Sequence, residues 1–157
     1  MLRGVTSVTP GYAGGTTPSP TYLQVSRGDT GHAEVIRVEF DPAIVAYDDL
    51  LTVFFATHDA TTRNRQGNDV GTQYRSIVLT TTPGQAERAR AFIAELGKEG
   101  GNPIVTEVQP LDAFTPAEPE HLRYYERNTD RPYCQLIIEP KVRKMQEKFK
   151  ELLRRQE

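Results

Sequence analysis

Hydrophobic positions change their spacing several times along the chain, and each change marks an element. Residues 1–8 hold a short apolar segment ending at Pro10, and 11–20 is turn-rich, with Gly14-Gly15 and two prolines. Ala33 to Phe40 alternates apolar and polar side chains around β-branched positions, which predicts a strand stopped by Asp41-Pro42. Asp48 and Asp49 favour a helix start, where negative charge meets the positive end of the dipole, within a helix-like segment from Tyr47 to His58. Leu50, Leu51, Phe54 and Phe55 follow at helical spacing and predict a buried stripe. Arg75 to Thr80 predicts the next strand. Pro83 opens a helix with Ala86, Ala89, Arg90, Phe92, Ile93 and Leu96 on its apolar face and rim, and Gly100-Gly101 ends it. Ile104 to Val108 alternates again, 116–128 reads as a polar helix, and Tyr133 to Ile138 reads as the last strand. Val142, Met145, Phe149, Leu152 and Leu153 then place an apolar stripe on a basic C-terminal helix, which predicts a packed lid. Strands interleaved with helices, without a regular βαβ repeat, predict an α/β (α+β) fold: a two-layer sandwich with a mixed sheet, in one domain over residues 1–157.

Composition narrows the classes without choosing one. Hydrophobic residues make up 37% and charged residues 25%, values that fit neither a disordered nor a membrane chain. The apolar runs are short, and no secretory signal pattern opens the chain, so a cytoplasmic domain is expected. A net charge of −2 gives no field favouring nucleic acid. One cysteine excludes an internal disulfide and a Cys-based metal site, and three widely spaced histidines argue against any metal.

The densest chemistry lies in Arg65-Gln66-Gly67-Asn68-Asp69-Val70-Gly71-Thr72-Gln73-Tyr74-Arg75-Ser76, where nearly every side chain can hydrogen-bond. Such a run between a helix and a strand is either a site loop or an Asx- and Gly-rich connection that satisfies its own backbone. Glu34 is an early carboxylate on a Val/Ile-rich strand, and on a half-buried strand such a residue ordinarily points to water. Tyr22 admits a similar pair of readings, ligand or loop anchor. His32, His58 and His121 read as structural.

Taken together, these segments resemble the A-type peptide methionine-S-sulfoxide reductase family. The matching residues are Gly11-Tyr12-Ala13-Gly14-Gly15, Pro20-Thr21-Tyr22, Gly28-Asp29-Thr30-Gly31-His32-Ala33-Glu34-Val35, His58-Asp59, the run from Arg65 to Ser76, Pro103-Ile104-Val105-Thr106-Glu107 and Pro116-Ala117-Glu118. The resemblance extends from Leu2 to about Val142 with order and spacing kept. It implies a ferredoxin-like sheet and reduction of methionine sulfoxide, free or in proteins, by a thiol mechanism with thioredoxin as reductant, in repair of oxidised protein. It also implies roles. Glu34 is the acid that protonates the departing oxygen, kept protonated by burial. Tyr22 and Tyr74 are the phenols that hold that oxygen, and Asp69 orders the pocket. No cofactor is implied, and the partners are methionine-sulfoxide proteins or peptides and thioredoxin, with no nucleic acid and no membrane, in a monomer.

The departure from the family pattern is the nucleophile. The family's cysteine lies in a Gly-Cys-Phe-Trp motif, and this sequence has neither that motif nor any tryptophan. Met1-Leu2-Arg3-Gly4-Val5 resembles the segment after the family's first helix. The expectation is therefore an N-terminal truncation that removes the motif, the first strand and most of that helix. Without a thiolate the chain as written is expected not to turn over. One reading is a reductase whose recorded start lies downstream of the true one. A second is a non-catalytic module that binds methionine-sulfoxide peptides, and a third is a scaffold that self-associates through an exposed sheet edge. Cys134 is either a resolving thiol of the kind some family members carry near this position, or a buried structural cysteine.

Overall fold

The structure, a computed structural model, describes residues 2–132 and 134–153. Strand β1 (Val5–Ala13) runs antiparallel to β2 (Ala33–Phe40), and between them lies the five-residue helix α1 (Tyr22–Ser26). Helix α2 (Tyr47–Thr57) leads to a hairpin of two-residue strands, β3 (Arg65–Gln66) and β4 (Asp69–Val70). A 3-10 turn at Thr72–Tyr74 then enters β5 (Ile77–Thr80). Helix α3 (Pro83–Lys98) crosses over to β6 (Glu107–Pro110), which pairs with β5 in parallel, and β7 (Phe114–Pro116) returns to β1. The C-terminal part holds a 3-10 turn at Pro119–His121, α4 (Tyr124–Arg127), a π-helical turn at Cys134–Ile138 and α5 (Glu139–Lys148). Parallel and antiparallel pairs thus coexist with helices in a mixed α/β chain, though among the described residues they lie in separate sheets, not in one mixed sheet. Among the described residues the ladders form three sheets: β2-β1-β7, β3-β4 and β5-β6.

Local chemistry sets the element ends. Thr82 caps α3 by accepting from the Gln85 N–H at 3.2 Å, and Pro83, which has no N–H to leave unpaired, occupies the first turn. Asp48 and Asp49 sit in the first turn of α2, where the Asp49 carboxylate accepts from the Ala46 N–H at 3.1 Å. Leu51 and Ala89 are buried between α2 and α3, with the Phe55 and Phe92 rings stacked at 5.7 Å. Gly67 takes a φ of +61° in the two-residue turn of the β3–β4 hairpin, a value an L side chain resists. At Gly15 a Cβ would lie 2.3 Å from the His32 backbone nitrogen, so only a bare Cα allows the 14–20 loop to approach β2.

Side chains carry the connections between sheets. The Arg75 guanidinium, mostly buried, donates to the carbonyls of Thr72 at 2.9 Å and Gly31 at 3.0 Å and pairs with Glu107 at 3.3 Å. It therefore ties the entrance of β2 to β5 and β6. His58, at the end of α2, donates Nδ1–H to the Phe54 carbonyl at 2.6 Å, which leaves Nε2 to accept from the Ser76 hydroxyl at 2.7 Å. Ser76 in turn meets Thr106 Oγ1 at 2.7 Å. Burial lowers the His58 pKa and keeps the ring neutral. At the far end, the Arg3 N–H donates to the Leu152 carbonyl at 2.8 Å and Leu2 bridges to Leu153, so the last residues described lie against the first.

Several predicted elements differ. Residues 134–138 are π-helical and continue into α5, not a strand, because three successive apolar residues offer no alternation to a pleat and Pro140 already starts a helix. Tyr133, the first residue of that predicted strand, lies outside the described residues. The polar helix over 116–128 is broken into β7, a 3-10 turn and α4, with Arg123 at φ +52° interrupting it. The strand predicted from Ile104 begins at Glu107, and β1 runs on through Pro10 to Ala13. Among the described residues no helix is long and apolar enough to cross a membrane.

Candidate functional site

Glu34 faces Tyr12 directly across the β1–β2 ladder, so both side chains leave the sheet on the same side. Tyr12 is 3% exposed, and its hydroxyl donates to Glu118 Oε2 at 2.7 Å. The other oxygen of Glu118 accepts the backbone N–H of Tyr22, also at 2.7 Å. Tyr22 opens α1, where Thr21 and Gln24 form a reciprocal capping box. Tyr22 stays 42% exposed, and its ring centroid lies 4.9 Å from that of His121. The loop that delivers Tyr22 is pinned by buried His32. Nδ1 of that ring accepts the Gly15 N–H at 3.2 Å, so Nε2 carries the proton and donates to the Thr17 carbonyl at 2.8 Å.

From the other side come Asp69, on the exposed strand β4, and Tyr74, half-buried on the 3-10 turn. Buried Gln73 donates its amide to the Ser26 carbonyl at 3.3 Å, and its buried Oε1 has no hydrogen-bond partner among the described residues. Electrostatics ties the two sides together. Solvent reaches Glu34 from the open side, yet the protein around it strips enough hydration to raise its carboxyl pKa. Asp69 adds to that rise and His121 opposes it. Burial likewise raises the Tyr74 phenol, assisted by Glu34, Asp69 and Tyr22. Tyr12 is pushed up by burial and by its bond to Glu118, and so stays a neutral donor. Glu118 moves the opposite way, because the Tyr22 N–H and the Tyr12 hydroxyl both favour its charged form. Two carboxyls on one wall are thus driven apart, one toward the acid and one toward the anion.

The four residues singled out in the sequence, Tyr22, Glu34, Asp69 and Tyr74, thus lie near enough for their charges to act on one another across one polar region. Tyr12, Glu118 and His121 belong to it as well, and the sequence assigned them no role there. Tyr12 and Glu118 lie inside matching segments, but their pairing depends on strand register and on the return of β7. Cys134 is fully buried on the π-helical turn. Among the described residues no three His, Cys, Asp or Glu side chains cluster as a metal-ligand set.

Such a region can hold a polar, neutral oxygen with phenols and protonate it from a carboxyl. Known proteins share this chain's sequence and fold. A family model described as peptide methionine sulfoxide reductase matches residues 1–153. The chain is 53% identical over 150 residues to the peptide methionine sulfoxide reductase MsrA of Halobacterium salinarum, covering 94% of this chain and 85% of that one. It is 54% identical over 143 residues to the MsrA of Nautilia profundicola, covering 91% and 82%. Among solved structures it is similar to methionine sulfoxide reductase A of Corynebacterium diphtheriae, at 40% identity and a TM-score of 0.74, over 80% of this chain and 65% of that one. Reduced Mxr1 of Saccharomyces cerevisiae aligns at 34% identity and a TM-score of 0.78, over 83% and 76%, and Mxr1 has also been solved in complex with Trx2.

Proposed function

The chain belongs to the peptide methionine sulfoxide reductase family, and from that premise we propose that its polar region binds the sulfoxide oxygen of methionine sulfoxide and protonates it. Tyr22 and Tyr74 donate to the oxygen, Glu34 supplies the proton and Asp69 orders the wall. The observation that carries the reading is the placement of Glu34 opposite Tyr12 on the ladder, within electrostatic reach of Asp69 and Tyr74, where desolvation raises its carboxyl pKa in the direction a general acid needs.

In the full reaction a thiolate attacks the sulfoxide sulfur while the acid protonates the oxygen. The thiol sulfur is oxidised to a sulfenic acid and the methionine sulfur is reduced to the thioether. A second thiol condenses with the sulfenic acid, releasing water and leaving a disulfide for a dithiol reductant. Thioredoxin is proposed as that reductant, on the precedent of Mxr1 with Trx2, in protein repair in the cytoplasm. The single cysteine of this sequence is buried, so the 157 residues are proposed to bind and protonate without reducing.

Titrating a methionine-(S)-sulfoxide peptide into the protein tests the assignment, with the methionine peptide as control. Saturable binding that Tyr22→Phe and Tyr74→Phe each weaken is expected. Equal affinity for sulfoxide and thioether, or no binding to either, would sink it.

A further inference from the structure

Helix α1 is five residues long, too short to hold its own orientation in water, so the placement of Tyr22 depends on what the rest of the chain does to it. Two contacts converge on Tyr22 from the segment after β7. Glu118 takes its backbone N–H, and the His121 ring lies against its phenol ring. The turn closes on itself through the His121 N–H to the Glu118 carbonyl at 2.9 Å, so both contacts move as one unit. Each oxygen of Glu118 has its own donor, one from the loop side and one from β1 through Tyr12, whose ladder partner is Glu34. The carboxylate therefore references Tyr22 to the strand pair that carries Glu34.

We propose, resting on the sulfoxide reading above, that Glu118 is a positioning residue: by bridging the Tyr22 backbone and the Tyr12 hydroxyl it fixes the Tyr22 phenol beside Glu34. Bonds to an ionised acceptor are shorter and about twice as strong as neutral ones, which suits a bridge that must locate a partly exposed ring. The donors arrive from residues 96 and 106 positions away in the sequence, so the bridge forms only in the folded chain.

The experiment uses the protein with carbon-13-labelled tyrosine, as wild type, Glu118→Ala and Glu118→Gln. The Tyr22 ring resonances report its place beside the His121 ring, independently of any ligand. Titration with a methionine-(S)-sulfoxide peptide reports the consequence. Glu118→Ala is expected to move the Tyr22 resonances and weaken peptide binding about tenfold, equivalent to roughly 1.4 kcal/mol. Glu118→Gln keeps one acceptor and should move both in the same direction by less, with affinity down about threefold. If both variants only lower the melting temperature and leave the Tyr22 resonances and the affinity at wild-type values, the proposal is overturned. Should Glu118→Ala fail to fold, unchanged resonances and affinity in Glu118→Gln overturn it alone. If the wild type binds no sulfoxide while the variants still displace the Tyr22 ring, the positioning role stands and the sulfoxide reading falls.

Discussion

Replacing Ser76 by alanine tests whether the polar chain through His58 holds α2 to β5 and β6. Ser76 is 5% exposed, and its hydroxyl stands between His58 Nε2 and Thr106 Oγ1, 2.7 Å from each. Alanine leaves no void larger than one oxygen, so the effect is almost wholly polar. It strips a donor from His58 and a partner from Thr106, and removing one side of a buried hydrogen bond costs about 1–3 kcal/mol. Taking about 2 kcal/mol, a domain of this size should lose roughly 4–8 °C in melting temperature. The assay is thermal unfolding at pH 8, where His58 is neutral in folded and unfolded protein alike. Because burial lowers the His58 pKa in the fold, the wild type has this stability above the ordinary histidine value of about 6.5 and loses it as pH falls through the folded value. Melts at pH 5.5 should therefore lie below those at pH 8 in the wild type. Combining Ser76→Ala with His58→Ala should cost less than the sum of the two, since they remove the same bond. A loss below about 0.5 kcal/mol at pH 8, or strict additivity in the double variant, would refute the reasoning.

Two other substitutions probe Glu34 and the Arg75 tie. Burial raises the folded-state pKa of Glu34, so its contribution is complete below the unfolded value of about 4.3 and is lost as pH rises through the folded value. Glu34→Gln should accordingly raise the melting temperature at pH 8 and change it little at pH 4, and an equal shift at both pH values would count against a perturbed carboxyl. Arg75→Lys keeps the charge but loses the planar fork that reaches Thr72, Gly31 and Glu107 together, and should destabilise by about 2 kcal/mol in denaturant titration. An unchanged midpoint there would mean that the carbonyls find other donors.

Where the deciding forces are local, the sequence was a good guide. The alternation over Ala33–Phe40 gave β2 at its observed bounds, and Pro83 marked the start of α3, because pleat period and the fixed φ of proline act within a few residues. Residues 134–138 could not be read this way, since a short apolar run suits a helix as well as a strand until its neighbours are known. Strands β3 and β4 are two residues each, below the length at which any period exists. At the candidate site, the resemblance named Glu34, Asp69, Tyr22 and Tyr74, which the fold brings within electrostatic reach of one another. The role of Glu118 was not legible, because nothing near it in the chain predicts donors from Tyr12 and Tyr22.

The division of the ladders into three sheets has a consequence for how the protein opens. Among the described residues, backbone ladders join strands within β2-β1-β7, β3-β4 and β5-β6, while side-chain bonds from Arg75 to Gly31 and Glu107, from Thr72 to Gly28 and from Gln73 to Ser26 link the pieces. Native proteins open first where few buried contacts oppose it. Glu34 rides on one sheet, Asp69 on another and Tyr74 on the turn before the third. A fluctuation that parts the sheets without melting any of them would scatter these groups. Mild heat or denaturant is then expected to abolish the proposed peptide binding before amide protons inside the ladders lose protection.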